Sequence, residues 1–277
     1  MRKPWGSIGR VLIYIVFATF TVTNIFPIVW VVISSFKTNS EFAESLLSFP
    51  RHFDFTNYLL AWKTSKIGVY FLNSVYVSVV SMSIVVALSI MVAYILARYQ
   101  FAPRNMIYVF FIFGMLIPIH TTLVPLFIMF KTIHALDKWF TLILPYTGFG
   151  LPFAVFILES FIRTIPRELD EAAIIDGCGS GSLLLQIITP LCKPALATVC
   201  IMTFLTNWND FVFPLIFINK DRLKTIQLGL ANFIGPRSAD YTQLMAGLVI
   251  SIIPILVLYF TFQNSLVKGM TAGAVKG

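Results

Sequence analysis

At 277 residues, 58% of them hydrophobic and only 12% charged, the chain has a mean hydropathy of +0.86, whereas soluble domains carry about 25% charged residues. That excludes an ordinary soluble domain and favours helical membrane spans, since about 20 apolar residues at 1.5 Å each cover about 30 Å of hydrocarbon with every backbone group satisfied inside the segment. The net charge of +8 comes from basic residues scattered among loops, with no stripe that would suit a nucleic acid, and reads as topology signal and lipid headgroup contact.

Residues 1–10 carry Arg2, Lys3 and Arg10 and no acid, and the apolar run over 11–33 is the first span. It is longer than the roughly 7–15 residues of a signal-peptide core, so it is expected to remain uncleaved, with the N-terminus in the cytoplasm. Residues 37–68 form the longest polar segment and belong outside. The second span, 69–97, carries Ser74, Ser78 and Ser81 at helical spacing, suited either to close helix packing or to a transport path. Arg98 and Arg104 bracket a short inner loop.

The third span, 106–130, holds Pro118 and Pro125 around His120, Thr121 and Thr122. Prolines free carbonyls that hydroxyls, water or neighbouring helices must satisfy, which suits a bent helix beside a cavity. His120 serves there either as a packing histidine or as a gate or solute contact. The fourth span, 139–162, is interrupted by Pro145, Gly148, Gly150 and Pro152, with Glu159 near its inner end. The fifth, 191–218, contains Asn207, Trp208, Asn209 and Asp210; an Asp in mid-membrane costs about 2.5–3.5 kcal/mol, so this cluster needs the interface or a wet cavity. Trp208 is an interfacial anchor or part of that cluster. His120, Thr121, Asn207, Asn209 and Asp210 are the candidate translocation path. Residues 219–242 lie outside, the sixth span covers 243–263 with a bend at Pro254, and the tail 264–277 returns to the cytoplasm. The expected fold is all-α: six transmembrane helices with both termini inside and a short cytoplasmic helix between spans four and five.

That short helix lies in the loop 163–190. Pro166 suits a first helical turn, and Glu168, Asp170 and Glu171 put negative charge where the helix dipole is positive. Leu169, Ala172, Ala173 and Asp176 fall at i, i+3, i+4 and i+7, a narrow face of small side chains that another backbone can approach. Gly177 stops the helix, and Gly179 and Gly181 make the following stretch a pivot. Read locally, it is either a docking element or a capped loop that only joins two spans.

The order of residues resembles the signature loop of the inner-membrane permease subunits of ABC importers: EAA, three residues, G, nine residues, then I-x-L-P. Here Glu171, Ala172 and Ala173 lead to Gly177, and Ile187 and Pro190 follow at the same spacing, with Thr189 in place of the usual Leu. The resemblance implies that Glu171, Ala172, Ala173, Asp176, Gly177, Ile187 and Pro190 belong to a coupling helix that docks on a cytoplasmic ATPase subunit. The stretches FTNYLLAW, LTNWNDFVFPL, TIQLGL and the closing GAVKG are similar to the carbohydrate branch of that family, the maltose-type and oligosaccharide-type permeases. Within that branch the tail also contacts the ATPase, which by resemblance makes Gly273, Ala274, Val275, Lys276 and Gly277 a secondary contact.

The energy source is expected outside this chain. A phosphate-cradling P-loop needs GxxxxGK followed by Ser or Thr, and the sequence contains no Gly-Lys pair. Ion-coupled carriers use ionisable groups in mid-span, whereas Glu159 and Asp210 sit near span ends. His52, His120 and His134 have neither metal-ligand spacing nor a nearby acid, and Cys178, Cys192 and Cys200 match no metal or redox motif. The resemblance therefore implies no catalytic residue, metal or cofactor, with ATP bound by partner subunits in a bacterial inner membrane. The implied partners are a second related permease, two cytoplasmic ATPases, an extracytoplasmic solute-binding protein, a sugar and membrane lipid. An importer for a non-sugar solute is the alternative.

Overall fold

The computed structural model describes residues 5–234 and 240–274, with side chains for 9–234 and 240–262, and it is all-helical. It divides into one unit up to Gly68 together with Gly229–Ile253, and a second made of Val69–Leu228 and the residues from Pro254.

In the first unit, α1 (Trp5–Ser34) is apolar on every side and exposes its side chains from Val11 to Val29, the pattern of a helix whose solvent is lipid. After it, α2 (Asn39–Glu44) opens on a capping box: Thr38 Oγ1 accepts from the Glu41 backbone N–H at 3.2 Å, and Glu41 Oε2 accepts from that of Thr38 at 2.9 Å. Lys37 is fully buried, and its Nζ donates to the carbonyls of Ser45 and Leu46 at 3.1 and 3.0 Å. Burial pushes its pKa below the usual lysine value, against the opposing pull of Glu41. The FTNYLLAW stretch forms α3 (Thr56–Leu59) and a π-helical turn over Leu60–Thr64. Its residues close the segment back on the end of α1: Asn57 Nδ2 donates to the carbonyls of Ser35 and Lys37 at 2.9 and 2.8 Å, and the Tyr58 and Ser35 hydroxyls lie 2.6 Å apart. Trp62 lies flat on Gly68, where a Cβ would come within 2.7 Å of the indole.

The second unit is built on α4 (Ile67–Arg98) from Val69 onward. The pair α5 (Arg104–Leu116) and α6 (Leu123–Thr132) turns through 92°, with Pro118 in the break. Next comes α7 (Ile143–Ile162), starting later than the expected span because residues 135–141 are tied into a turn: the buried Thr141 hydroxyl accepts from Lys138 N and donates to Ala135 O. α5 lies against α7 so closely that a Cβ on Gly114 would fall 2.9 Å from Pro152. The loop after α7 contributes α8 (Glu168–Ile175). It is followed by one piece made of α9 (Ser180–Ser182), a π-helical stretch Leu183–Ile188 and α10 (Thr189–Leu191), which meets α11 (Lys193–Asn209) at 79°. Residues 191–218 are thus not one straight helix: Asp210 interrupts them before α12 (Val212–Phe217). Then come α13 (Ile226–Leu230) and α14 (Tyr241–Ala274). The latter runs well past the expected span, with Gly273 and Ala274 in its last turn; Val275, Lys276 and Gly277 lie outside the described residues.

Ser74, Ser78 and Ser81 of α4 are buried, which favours their packing role; Ser74 Oγ accepts from Ile226 N at 2.8 Å. The Tyr70 hydroxyl donates to Asp221 and Asn73 Nδ2 to the carbonyls of Arg222 and Lys224, all at 2.9 Å, so α4 holds the segment leading into TIQLGL. By length and composition, four helices among the described residues can cross a membrane, and six if each bent pair counts as one span.

Candidate functional site

The candidate residues fall at two places in the second unit. One is a cavity of about 360 Å³ between α7 and α11, walled by Tyr146, Phe149, Phe153 and Phe213 and edged by Thr203, Thr206, Asn207, Asn209 and Asp210. Three of the five path residues read from the sequence, Asn207, Asn209 and Asp210, meet here. His120 and Thr121 do not line it; both are exposed, the Thr121 hydroxyl donates to Pro118 O at 2.7 Å, and Ile119 takes the lining position. The turn between the helices of the bent pair rotates consecutive residues to different sides, which spacing alone does not resolve.

Asp210 is a structural acceptor. The Tyr146 hydroxyl donates to its Oδ2 at 2.8 Å, and the backbone N–H groups of Val212 and Phe213 donate to its two oxygens at 3.1 and 3.2 Å. It therefore satisfies the orphan donors at the start of α12 and fixes the break that opens the cavity. Trp208 is buried, stacked on Phe204 and edge-on to Phe71, and is not an interfacial anchor. Asn207 differs from both: 6% exposed, it keeps an Nδ2 with no hydrogen-bond partner among the described residues, on the wall of the cavity. A buried donor without a partner costs about 1–3 kcal/mol, so its persistence beside a cavity marks it as a group meant for a ligand or water.

The second place is α8. Its C-terminus is a Schellman motif: Cys178 N donates to Ala173 O at 2.9 Å and Gly177 N to Ile174 O at 3.0 Å, with Gly177 at φ +84°. Only glycine occupies that conformation without strain. The face expected from the sequence is divided. Ala173 turns inward with Asp170 and packs into the core with Ala93, Ala97, Leu158 and Leu183. Glu171, Ala172 and Asp176 are exposed, as is Pro190, and Ile187 is half-buried. The outer surface carries Leu169, Ile174 and Ile175, exposed to 43%, 61% and 85%. The sequence reading missed the two isoleucines, although two apolar residues inside a polar loop were the available signal.

The inner side of α8 is held by charge. Arg98 Nε lies 2.7 Å from Asp170 Oδ2, with the two side chains only 6% and 13% exposed, and Arg98 also donates from a terminal nitrogen to Ile165 O at 3.1 Å. Arginine in the last turn of α4 and aspartate in the first turn of α8 both oppose their helix dipoles favourably. Removing one partner of a buried pair strands the other, at about 3–5 kcal/mol. On the end of α7, the buried Glu159 pairs with Arg163. Among the described residues, no three His, Cys, Asp or Glu side chains gather where a metal ion could be held.

Residues 85–272 match the family model of the binding-protein-dependent transport system inner membrane component. The chain is 38% identical to the diacetylchitobiose uptake system permease protein NgcG of Streptomyces coelicolor, over 92% of this chain and 85% of that one. It is 30% identical to the arabinooligosaccharides transport system permease protein AraQ of Bacillus subtilis, over 100% and 99%, and 32% identical to the trehalose transport system permease protein SugB of Mycobacterium tuberculosis, over 91% and 92%. Its fold is that of a chain in the crystal structure of a bacterial ABC transporter that imports the acidic polysaccharide alginate, with a TM-score of 0.85 at 19% identity over 96% of this chain and 99% of that one.

Proposed function

The chain belongs to the family of binding-protein-dependent transport system inner membrane components, and we propose that it is the permease subunit of an ATP-driven importer for sugars or oligosaccharides. It is a multi-pass membrane protein. In this reading it crosses the inner membrane six times, counting each bent helix pair once, with both termini in the cytoplasm. It forms half of the translocation path beside a second related permease, receives solute from an extracytoplasmic binding protein, and has no ATPase site of its own. Two cytoplasmic ATPase subunits supply the work, and α8 is the coupling helix on which one of them docks.

The observation that carries the proposal is α8 itself. A helix of eight residues that exposes Leu169, Ile174 and Ile175 in a polar loop, anchored underneath by a buried ion pair and ended by a left-handed glycine, is built to be covered. The cavity supports the sugar assignment: a wall of aromatic side chains, Tyr146, Phe149 and Phe153 among them, suits the apolar C–H faces of a pyranose, and Thr206, Asn207 and Asn209 suit its hydroxyls. The names of the relatives, which take up diacetylchitobiose, arabinooligosaccharides and trehalose, support the same class over a non-sugar solute.

The test is purification of the tagged protein from its native host in mild detergent, with stoichiometric mass spectrometry of what accompanies it. A second permease and two copies of a P-loop ATPase are expected. Recovery of this chain alone, folded and monodisperse, would overturn the proposal.

A further inference from the structure

The loop that carries α8 is joined to the rest of its unit by two connections, one on each side. On its C-terminal side stand Gly177 in the left-handed region, an extended Gly179 and then Gly181. That side is fastened by Cys178 N donating to Ala173 O at 2.9 Å, by Leu183 in the core with Ala173, and by the Tyr99 hydroxyl donating to Ser180 Oγ at 3.3 Å. On the other side the Arg98 guanidinium holds the loop at two points, the Asp170 carboxylate and the Ile165 carbonyl, inside the core where Ala97 and Ala173 also meet. The Asp170 contact is an ion pair to α8 itself, and the Ile165 bond lies three residues before that helix, so Arg98 ties both the helix and the chain entering it to α4. The end of α4 is itself braced, since Arg104 Nε donates back to Leu96 O at 2.7 Å.

From Arg98, α4 runs as unbroken helix back to Val85, about 20 Å away at 1.5 Å per residue. Val85 is fully buried and lies against Gly150, where a Cβ would sit 3.0 Å from its Cγ2 and 3.7 Å from Thr203 Cγ2. Gly150 and Thr203 both line the cavity.

We infer that Arg98 is a positioning residue that joins α8 to α4, so that displacement of the docked helix reaches the cavity wall through Arg98 and Val85 in addition to the path along the chain into α11. The inference rests on the reading of α8 as the helix that the ATPase moves. Neither Arg98 nor Asp170 is part of the signature spacing.

The test uses the assembled complex in nanodiscs and needs no solute: hydrogen exchange with and without ATP plus vanadate, read over residues 168–177 and over 91–100, for the natural chain, R98Q, D170N and the reversed pair R98D/D170R. In the natural complex, ATP is expected to change exchange in both segments, on the order of fivefold over 91–100. In R98Q and D170N the change over 168–177 persists while that over 91–100 drops below about twofold, and the reversed pair restores it. A purely structural pair would alter assembly or baseline exchange and leave the ATP-driven change over 91–100 in place, which overturns the inference. Should both single variants fail to assemble, the milder R98K and D170E are read over the same segments: an ATP-driven change over 91–100 reduced below about twofold in either supports the joint, and a change of natural size in both overturns it. If the natural complex shows no ATP-driven change over 168–177, the docking role of α8 fails first and the inference falls with it.

Discussion

At the break between α11 and α12, Asp210 accepts from Tyr146, Val212 and Phe213, while Asn207, one turn earlier, keeps a buried Nδ2 without a partner among the described residues. On α8 the polarity is reversed: Asp170 is buried against Arg98 through Oδ2, with Oδ1 enclosed and without a hydrogen-bond partner among the described residues, and the exposed groups are Leu169, Ile174 and Ile175, apolar side chains facing outward from a polar loop. In both regions the residue whose chemistry is most conspicuous in the sequence, an aspartate, is turned into the fold. What remains for a partner or a solute is the less conspicuous group beside it, a carboxamide in an apolar wall and two isoleucines in a polar loop. Function in this molecule is best sought in unsatisfied groups that reach a cavity wall or the surface.

The comparison breaks first on α8. Burying an isoleucine against a partner contributes about 1.5–3 kcal/mol, and about 1.4 kcal/mol is tenfold in affinity. I174D/I175D is therefore expected to weaken ATPase association at least about 100-fold and to abolish uptake with membrane insertion unchanged. Co-purification of the ATPase and radiolabelled uptake measure this, and retention of the ATPase by the double variant would show that α8 is not the docked surface.

Next in size is Asp210→Ala, which strands three donors and is expected to cost about 2–4 kcal/mol of stability, read as a lowered unfolding midpoint in detergent. Gly177→Ala forces an L side chain into a left-handed position at about 1 kcal/mol; faster amide exchange confined to 168–178 is the expected sign. Asn207→Ala removes a buried donor that bonds nothing in the described fold, so stability should hold or rise by about 1–3 kcal/mol while the KM for uptake rises about tenfold. If instead Asp210→Ala spares stability and changes solute selectivity, the division between aspartate as framework and carboxamide as contact is wrong.

How much of this was legible beforehand follows from what each signal depends on. Apolar length is a property of composition, so the candidate spans were readable, and Pro118 announced the 92° turn because a proline cannot continue the ladder. Gly177 was readable as a helix stop for the same local reason. The facing of α8 was not, because in a helix of eight residues a phase error of one position exchanges Ala172 for Ala173 at the core. The Arg98–Asp170 pair was out of reach, since it joins residues from different helices and each has an adequate local explanation as a dipole-opposing charge. The side to which the bend turns His120 and Thr121, off the lining of this cavity, depends on a rotation that only three dimensions reveal.

A control for the rule lies outside both regions, at Glu41, where every polar atom is accounted for and no partner is expected. The backbone N–H of Thr38 is the main influence holding its carboxyl below the usual carboxylate range, against desolvation, the next largest, with the Arg51 N–H, the Thr38 hydroxyl and the Arg51 charge adding to the lowering. A carboxyl whose folded value lies below its unfolded value of about 4.5 contributes stability above that pH and loses it as pH falls through the folded value. The unfolding midpoint of the natural chain should therefore exceed that of Glu41→Gln slightly at pH 6–7 and converge on it as pH drops from about 5 toward 3. Uptake at neutral pH should be the same in both, because a fully partnered group has nothing left to offer a solute or a subunit. A Glu41→Gln chain that keeps its stability at neutral pH but imports poorly would place a functional contact where the fold already satisfies every polar atom, and the rule drawn from α8 and Asn207 would not hold.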